Sequence, residues 1–260
     1  MELAGKTIIV TGGASGIGAA LCRRFAQDGP GGITVADRNL EGAAAVAAGI
    51  DGALAVRCDV ADSESVAECI AVTTERFGPV DLYISNAGIF DGGGPLDAPL
   101  DAWASQWDIN VMAHVHAIRQ LLPSMLERGS GYFLITASMA GILTSPGNAV
   151  YAATKHAAVG LAEWMSITYH AQGVRTSCLV PLGVRTPMLE QLGDPDDEQF
   201  ASVVGQAADP DDVAEIVVDA IGNERCLITT DPQAWEWMRR KVSDHERWLG
   251  GMRRSGVTLG

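Results

Sequence analysis

The sequence predicts an α/β protein: a single doubly wound domain in which a seven-stranded parallel sheet carries helices on both faces. Short apolar segments alternate with longer segments of helical periodicity over most of the 260 residues. Glycine, proline, aspartate or asparagine flanks each short segment, which is typical of buried strands. Because parallel neighbours need crossover connections, this alternation places helices on both faces of the sheet.

Seven short apolar segments are predicted as strands. Each is too short for a stable helix and is bounded by turn-forming residues. In chain order the predicted strands are Lys6–Val10, Gly32–Ala36, Ala53–Cys58, Leu82–Ser85, Tyr132–Thr136, Val174–Leu179 and Cys226–Thr229.

The segments between the strands carry the periodicity of helices that pack on a sheet. Asp62 and Asp209 stand just before two of these segments, where N-cap residues are expected. The predicted helices are Ile17–Gln27, Leu40–Ala48, Ser63–Phe77, Trp103–Arg128, Ala149–Gln172 and Asp212–Gly222. No internal repeat and no linker interrupts the pattern, so residues 1–260 are predicted to form one domain.

Composition argues against several classes of function. A formal net charge of −14 disfavours nucleic acid and anionic membranes as partners. No apolar run reaches the ~18 residues of a membrane span, and the amino terminus has no signal-peptide pattern. The five cysteines lack Cys-x-x-Cys spacing and the five histidines lack metal-ligand spacing, so we expect buried free thiols and no metal site. These features predict a soluble, cytoplasmic protein.

A glycine-rich turn follows the first predicted strand. Gly12, Gly16 and Gly18 open the first helix, and glycine lets a backbone turn tightly and approach a pyrophosphate. The helix N-terminus offers N–H groups and the positive end of its dipole to such an anion. A turn of this kind also occurs for packing reasons alone, so the glycines are moderate evidence for a dinucleotide site.

An acidic residue at the end of the second strand favours NAD as the cofactor. Asp37 follows Gly18 by the distance at which a carboxylate accepts hydrogen bonds from an adenosine ribose. The same carboxylate would repel the additional phosphate of NADP. Gly13 and Ala14 supply no basic side chain for that phosphate, although the neighbouring Arg38 could accept it.

A tyrosine and a lysine four residues apart predict proton-transfer chemistry. Tyr151 and Lys155 share one face of a helix, so the ammonium can lie beside the phenol. A phenol titrates near ~10 in water, and a neighbouring positive charge lowers that pKa. Ser138 lies upstream and is a candidate hydrogen-bond donor to a substrate oxygen.

Motifs in register over about residues 5 to 230 give the chain a close resemblance to the short-chain dehydrogenase/reductase family. They are Thr11-Gly-x-x-x-Gly16-x-Gly18, Asp59-Val60, Asn86-Ala87-Gly88, Asn110, Ser138, Tyr151-x-x-x-Lys155 and Pro181 with Thr186. The resemblance implies a Rossmann fold and a nicotinamide cofactor. It also implies a homo-oligomer, either a dimer or a tetramer.

The resemblance assigns roles to residues of this chain. The predicted catalytic residues are Asn110, Ser138, Tyr151 and Lys155. The predicted cofactor contacts are Gly12, Ser15, Gly16, Ile17, Gly18, Asp37, Arg38, Asp59, Val60, Asn86, Ala87, Gly88, Tyr151, Lys155, Pro181, Val184 and Thr186. Tyr151 would exchange a proton with the substrate, Ser138 would bind its oxygen, and Lys155 would bind the nicotinamide ribose. Asn110 would hold a kink in its helix.

The substrate is predicted to be a small hydrophobic alcohol or ketone, bound by Ser138, Tyr151, Leu182 and Met188. Leu182 stands where the family usually has glycine, which puts the family's substrate range in doubt for this chain. About residues 187–208 are predicted to form a lid over the substrate. The apolar residues of this region could also be ordinary packing.

The carboxyl-terminal segment Asp231–Arg254 is predicted as one helix beyond the family resemblance. Trp235, Met238 and Val242 fall on one stripe of it. This helix would dock on its own subunit, cover the substrate entrance, or contact a neighbouring subunit, and the sequence leaves these alternatives open.

We therefore expect an NAD-dependent oxidoreductase that interconverts a hydrophobic secondary alcohol and its ketone. One alternative is a 3-oxoacyl thioester reductase of the same fold, which generally goes with NADPH and a basic patch. A second alternative is a non-catalytic nucleotide-binding or scaffold protein. The intact set of Asn110, Ser138, Tyr151 and Lys155 argues against the second.

Overall fold

The computed structural model describes residues 1–190 and 207–254, and its centre is one parallel sheet in the strand order β3-β2-β1-β4-β5-β6-β7. All six neighbouring pairs are parallel. The strands are β1 Thr7–Thr11, β2 Gly32–Asp37, β3 Leu54–Arg57, β4 Leu82–Ser85, β5 Gly131–Thr136, β6 Val174–Val180 and β7 Leu227–Thr229. Each lies within two residues of its predicted bounds, so the predicted fold class is confirmed.

Helices cover both faces of the sheet. They are α1 Gly16–Ala26, α2 Leu40–Ala48, α3 Ser63–Phe77, α4 Leu100–Trp107, α5 Ala113–Arg128, α6 Ala140–Leu143, α7 Ala149–Tyr169, α8 Pro187–Glu190, α9 Pro210–Gly222, α10 Ala234–Ser243 and α11 His245–Arg254. One apolar core joins the sheet to α3, α5 and α7. The second core joins the opposite face to α1, α2 and α9. The five central strands are buried on both faces, which explains their apolar runs, whereas the edge strands β3 and β7 are partly exposed.

Both predicted aspartate caps are confirmed. Asp62 accepts a hydrogen bond from the N–H of Glu64 at the start of α3. Asp209 accepts one from the N–H of Asp211 at the start of α9, where Pro210 occupies the first turn. Proline is tolerated there because the first N–H groups of a helix have no intrahelical partner.

Two predicted helices are interrupted. The segment Trp103–Arg128 contains a π-helical stretch, Asp108–Met112, between α4 and α5. The segment Asp231–Arg254 is two helices, and the prediction of one helix is wrong. Asp244 breaks it with an extended backbone (φ −151°) and accepts a hydrogen bond from the N–H of Arg247, which starts α11. An aspartate favours such a cap over a helix interior because its side chain binds the local backbone.

The strand order reverses between β1 and β4, and this reversal positions the site. On one side the chain proceeds outward through β2 to β3, and on the other side through β5 to β7. The helices that follow β1 and β4 lie on opposite faces, which leaves a crevice beyond the carboxyl ends of these strands. In the described ranges, no helix is long and apolar enough to cross a bilayer.

Candidate active site

A cleft of about 1090 Å³ opens at this crevice and has two ends. The glycine end is lined by Gly12, Ala14–Ile17, Asp37–Asn39, Cys58–Ala61 and Asn86–Gly88. The tyrosine end is lined by Phe90, Ser138–Ala140, Leu143–Ser145, Tyr151, Lys155, Leu182, Met188, Leu189 and Met252. Of the predicted site residues, only Gly18 and Asn110 do not line the cleft, and both lie directly behind its wall.

The glycine turn at the end of β1 is shaped by close backbone approach. Gly12 has φ 64°, and a Cβ there would lie 3.0 Å from the Cα of Ala87. A Cβ on Gly18 would lie 2.1 Å from the carbonyl oxygen of Gly12, so Gly18 allows α1 to start directly against the turn. Ser15 makes no side-chain cap to the first turn of α1. The N–H groups of this turn are thus available to an anion in the cleft.

Asp37 lies at the rim of the glycine end. Its carboxylate accepts hydrogen bonds from the N–H of Ala14 (3.1 Å) and of Asn39 (2.9 Å). These two contacts hold the carboxylate against the glycine turn, while the side chain stays partly exposed to the cleft. Arg38 lines the same rim and is exposed. Hydrogen bonds therefore fix the position of the Asp37 carboxylate. Within the described residues, no hydrogen bond holds the side chain of Arg38.

A residue outside the predicted site joins the two strands that form the crevice. Thr11 is buried, donates through its hydroxyl to the carbonyl oxygen of Ile84 (3.1 Å), and accepts from the N–H of Asn86 (3.0 Å). The Asn86 side chain donates in return to the carbonyl oxygen of Thr11 (3.0 Å). The Asn86-Ala87-Gly88 segment is therefore fixed to β1, and the floor of the glycine end is rigid.

Asn110 is fully buried in the π-helical stretch, as its predicted role in a helix kink requires. Its amide accepts from the N–H of Ile89 (2.9 Å) and donates to the carbonyl oxygen of the same residue (2.9 Å). It also donates to the hydroxyl of Thr154 on α7 (3.3 Å). A single side chain thereby joins the loop after β4 to the helix that carries Tyr151 and Lys155.

Lys155 reaches the cleft through the interior. Its ammonium donates to the carbonyl oxygen of Thr136 at the end of β5 (3.1 Å), and its side chain is 3% exposed. Burial lowers the pKa of Lys155 to about 8, since the low-dielectric interior disfavours the charged form. A Cβ on Gly88 would lie 3.4 Å from this ammonium and 3.2 Å from the Asn110 side-chain oxygen, so the floor beside Lys155 is closely packed.

Tyr151 faces Ser138 across the cleft. Burial raises the pKa of the Tyr151 phenol above its ordinary value, and a hydrogen bond with Ser138 offsets part of that rise. The sequence predicts that the charge of Lys155 lowers this pKa; in the folded chain the larger effect is desolvation by burial, which raises it. The ammonium lies 5.6 Å from the centre of the Tyr151 ring. The N–H of Ala140 donates to the Ser138 hydroxyl oxygen (3.1 Å), which leaves the hydroxyl proton to be donated elsewhere.

The tyrosine end contains apolar residues that the motif analysis missed. Phe90 packs against Tyr151 with ring centres 4.8 Å apart. Met252 reaches the cleft from α11, about a hundred residues after Tyr151 in the chain. Phe90 follows Gly88 closely and could have been suspected from that position. No local pattern identifies Met252, because only the fold of the tail brings it to the cleft.

The loop after β6 forms one wall of the tyrosine end. Leu182 lines the cleft with 44% of its surface exposed, and its N–H donates to the hydroxyl of Thr230 (3.2 Å). Val184 is buried and pairs with Ala208. Of the predicted lid, Met188 lies in α8 and lines the cleft, while residues 191–206 lie outside the described residues.

Most of the cysteines and His114 are buried in the protein interior. In residues 1–190 and 207–254, no three His, Cys, Asp or Glu side chains are grouped so that they could hold a metal ion. The five cysteines are free thiols, four of them buried and Cys226 half-buried. His114 is buried against the Ser85 hydroxyl (2.6 Å), and burial lowers its pKa to about 3, so its imidazole is neutral.

Known proteins resemble this chain over most of its length. The family model described as short chain dehydrogenase matches residues 6–197. A 2,5-dichloro-2,5-cyclohexadiene-1,4-diol dehydrogenase of Sphingobium indicum is 36% identical over 236 residues, covering 88% of this chain and 94% of that protein. A 1-deoxy-11-beta-hydroxypentalenate dehydrogenase of Streptomyces avermitilis is 36% identical over 256 residues, covering 96% and 93%.

A solved structure resembles the fold closely. It is the crystal structure of a short-chain dehydrogenase/reductase from Burkholderia phymatum in complex with NAD, with a TM-score of 0.84 and 29% sequence identity. The superposition covers 95% of this chain and 96% of that chain. The likeness therefore extends over nearly the whole fold.

Proposed function

The chain belongs to the short-chain dehydrogenase family of oxidoreductases, and we propose that it interconverts a hydrophobic, ring-borne secondary alcohol and its ketone with NAD. The observation that carries the proposal is the position of the Tyr151 phenol beside Ser138, in the same cleft as the glycine turn after β1. Two of the relatives described above are named as dehydrogenases of cyclic hydroxy compounds, which supports a ring-borne alcohol.

The residues of the tyrosine end would handle the proton of this reaction. A bound nicotinamide would accept or donate the hydride. The Tyr151 phenol would donate its proton to the ketone oxygen, or as phenolate take the proton of the alcohol. The Ser138 hydroxyl would donate a hydrogen bond to the same oxygen and stabilise charge that develops there.

The pKa of Tyr151 predicts how the two directions respond to pH. Because burial raises that pKa, the phenol is protonated at neutral pH and ready to serve ketone reduction. Alcohol oxidation needs the phenolate and should therefore accelerate as the pH rises into the alkaline range. Below its own pKa of about 8, the buried ammonium of Lys155 supplies a positive charge beside the phenol, and its remaining protons can bind hydroxyl groups of a cofactor.

NAD fits the glycine end better than NADP does. The fixed carboxylate of Asp37 lies at the rim, where it would accept hydrogen bonds from ribose hydroxyls and repel a phosphate. Gly12, Gly16 and Gly18 allow the close backbone packing of this turn, and the N–H groups at the start of α1 would bind a pyrophosphate. Arg38 is the one feature of this rim that would favour NADP.

A thioester reductase of the same fold is the second candidate, and the charges of the cleft disfavour it. An acidic carrier would need basic residues at the mouth of the site. Lys155 is the only basic residue among those that line the tyrosine end in the described residues, and it is buried.

The proposal is tested by following NADH or NADPH absorbance with a panel of cyclic and acyclic secondary alcohols and with each oxidised cofactor. We expect reduction of NAD⁺ with cyclic alcohols and little reaction with NADP⁺. A parallel assay supplies a 3-oxoacyl thioester with NADH or NADPH, and turnover restricted to that assay would favour the second candidate. Calorimetry of NAD⁺ binding serves as the control: binding without turnover of any substrate would contradict the enzymatic proposal.

A further inference from the structure

The carboxyl-terminal helices are anchored to the core of their own chain. Ala234, the first residue of α10, is completely buried in the core that also contains residues of α3, α5 and α7. Trp237 packs against the same core one turn later. Of the alternatives left by the sequence, docking on its own subunit is thus the one observed for α10. The exposed residues Trp235 and Val242 lie on the outer side of this helix.

Lys241 connects this anchor to the wall of the cleft. Its ammonium donates a hydrogen bond to the carbonyl oxygen of Ile142 in α6, the short helix that follows Ser138. The same ammonium lies 5.0 Å from the centre of the Trp248 ring on α11, which is cation–π distance. One side chain therefore joins three elements: α6, α10 and α11.

Met252 is the residue of α11 that lines the cleft. It lies four residues after Trp248, so both side chains project from the same side of α11. Met252 lines the cleft together with Tyr151 and Leu143. A flexible thioether fills irregular apolar space and restricts what else can enter it.

We propose that α11 is the outer wall of the tyrosine end, that Lys241 holds it against α6, and that Met252 sets the largest ring system that the cleft admits. The inference rests on the proposed function for its substrate class. It makes Met252 a specificity-determining residue and Lys241 a positioning residue, and neither takes part in the chemical step. Truncating Met252 enlarges the space beside Tyr151, whereas releasing Lys241 lets the whole wall move.

The test compares substrates that differ mainly in size: cyclohexanol, a decalol of two fused rings, and a hydroxysteroid of four. Met252→Ala should raise the kcat/KM of the largest relative to the smallest by about 10-fold or more, and Met252→Phe should lower this ratio. NAD⁺ affinity should stay unchanged. The matched control is Arg253→Ala, the exposed neighbour on α11, which should leave the ratio unchanged.

A second pair of variants tests the positioning role. Lys241→Met keeps the length of the side chain but loses the hydrogen bond to Ile142, and it should shift the size ratio in the direction of Met252→Ala. Arg240→Met removes one positive charge from the adjacent exposed position, where the side chain binds Glu236, and should have no such effect. A size ratio that is the same in all five variants and the native protein would overturn the proposal.

Binding measurements separate this inference from the proposed reaction. If no alcohol is turned over, the Kd values of the corresponding cyclic ketones are measured by calorimetry with NAD-loaded protein. If the ratio of the Kd values for the largest and the smallest ketone changes in Met252→Ala, the result would support α11 as the outer wall of the cleft. The absence of turnover would still contradict the proposed reaction. If this Kd ratio does not change, both the role of Met252 and the proposed reaction are contradicted.

Discussion

Two turns in the wall of the cleft use the left-handed region of the backbone, and they do so with different residues. In the glycine end, Gly12 (φ 64°) and Gly16 (φ 51°) adopt it without steric cost. In the tyrosine end, Thr144 adopts it with φ 75° although its side chain is β-branched. The glycine end is therefore a relaxed frame, whereas the tyrosine end stores backbone strain, as is common where a protein shapes a binding surface.

The two ends also differ in how the chain assembles them. The glycine end consists of consecutive strand-to-helix connections around β1, β2, β3 and β4. The tyrosine end combines the loops after β4, β5 and β6 with α7 and the remote helix α11. Residues close together in the sequence are thus sufficient to form the glycine end, while the tyrosine end depends on packing between distant segments. Single mutations should therefore affect the function of one end and leave that of the other nearly unchanged.

Tyr151→Phe should have the largest effect on turnover, because it removes the proton-transfer group and leaves the surrounding fold unchanged. We expect turnover to fall by about 10²–10⁴-fold. NAD binding should remain nearly native, since the phenyl ring can still pack against Phe90. Steady-state kinetics and calorimetry on the same preparation check both parts. Substantial turnover in this variant would contradict the assignment of Tyr151.

Ser138→Ala should lower kcat/KM by about 10²–10³-fold, the usual cost of a lost donor to a developing oxyanion. It should also move the pH profile. The hydrogen bond with Ser138 lowers the pKa of Tyr151, so its loss raises that pKa further. Alcohol oxidation should then require a more alkaline pH than in the native enzyme. A midpoint that stays in place or moves to lower pH would argue against this contact.

Asp37→Asn should act on the glycine end alone. Losing a charged acceptor for the ribose should weaken NAD binding by about 10-fold. The preference for NAD over NADP should become smaller, because the carboxylate no longer repels the additional phosphate of NADP. The kcat with saturating NAD should change little. Glu41→Gln, an exposed charge in the first turn of α2, serves as the control for loss of charge alone. A preference that Asp37→Asn leaves unchanged would contradict the ribose contact.

Thr144→Gly should have the smallest effect and tests the strain in the tyrosine end. Glycine relieves a left-handed conformation that costs about 1–3 kcal/mol for a β-branched residue, and it loses about 1 kcal/mol through the greater freedom of the unfolded chain. The free energy of unfolding should therefore rise by about 1 kcal/mol. Denaturant unfolding measures this change. Destabilisation would show that contacts of the Thr144 side chain outweigh the strain.

The sequence by itself determined the fold class, because apolar segments of strand length alternate with amphipathic helices and leave few other arrangements. It also determined the contents of the glycine end. Gly12 and Asp37 lie at strand ends, and parallel strands bring their carboxyl ends to one edge, whereas Asn86 was placed by family resemblance. Asn110 was placed by family resemblance, and its π-helical surroundings and its bonds to Ile89 appear only in the structure.

Tertiary structure alone decided the tyrosine end and the electrostatics of the site. The break at Asp244 and the contact of Lys241 with Ile142 bring Met252 to the cleft, and no local pattern encodes a contact across about a hundred residues. The direction of the Tyr151 pKa shift was likewise beyond the sequence. A four-residue spacing gives the proximity of a charge, but the cost of desolvation depends on everything that surrounds the phenol.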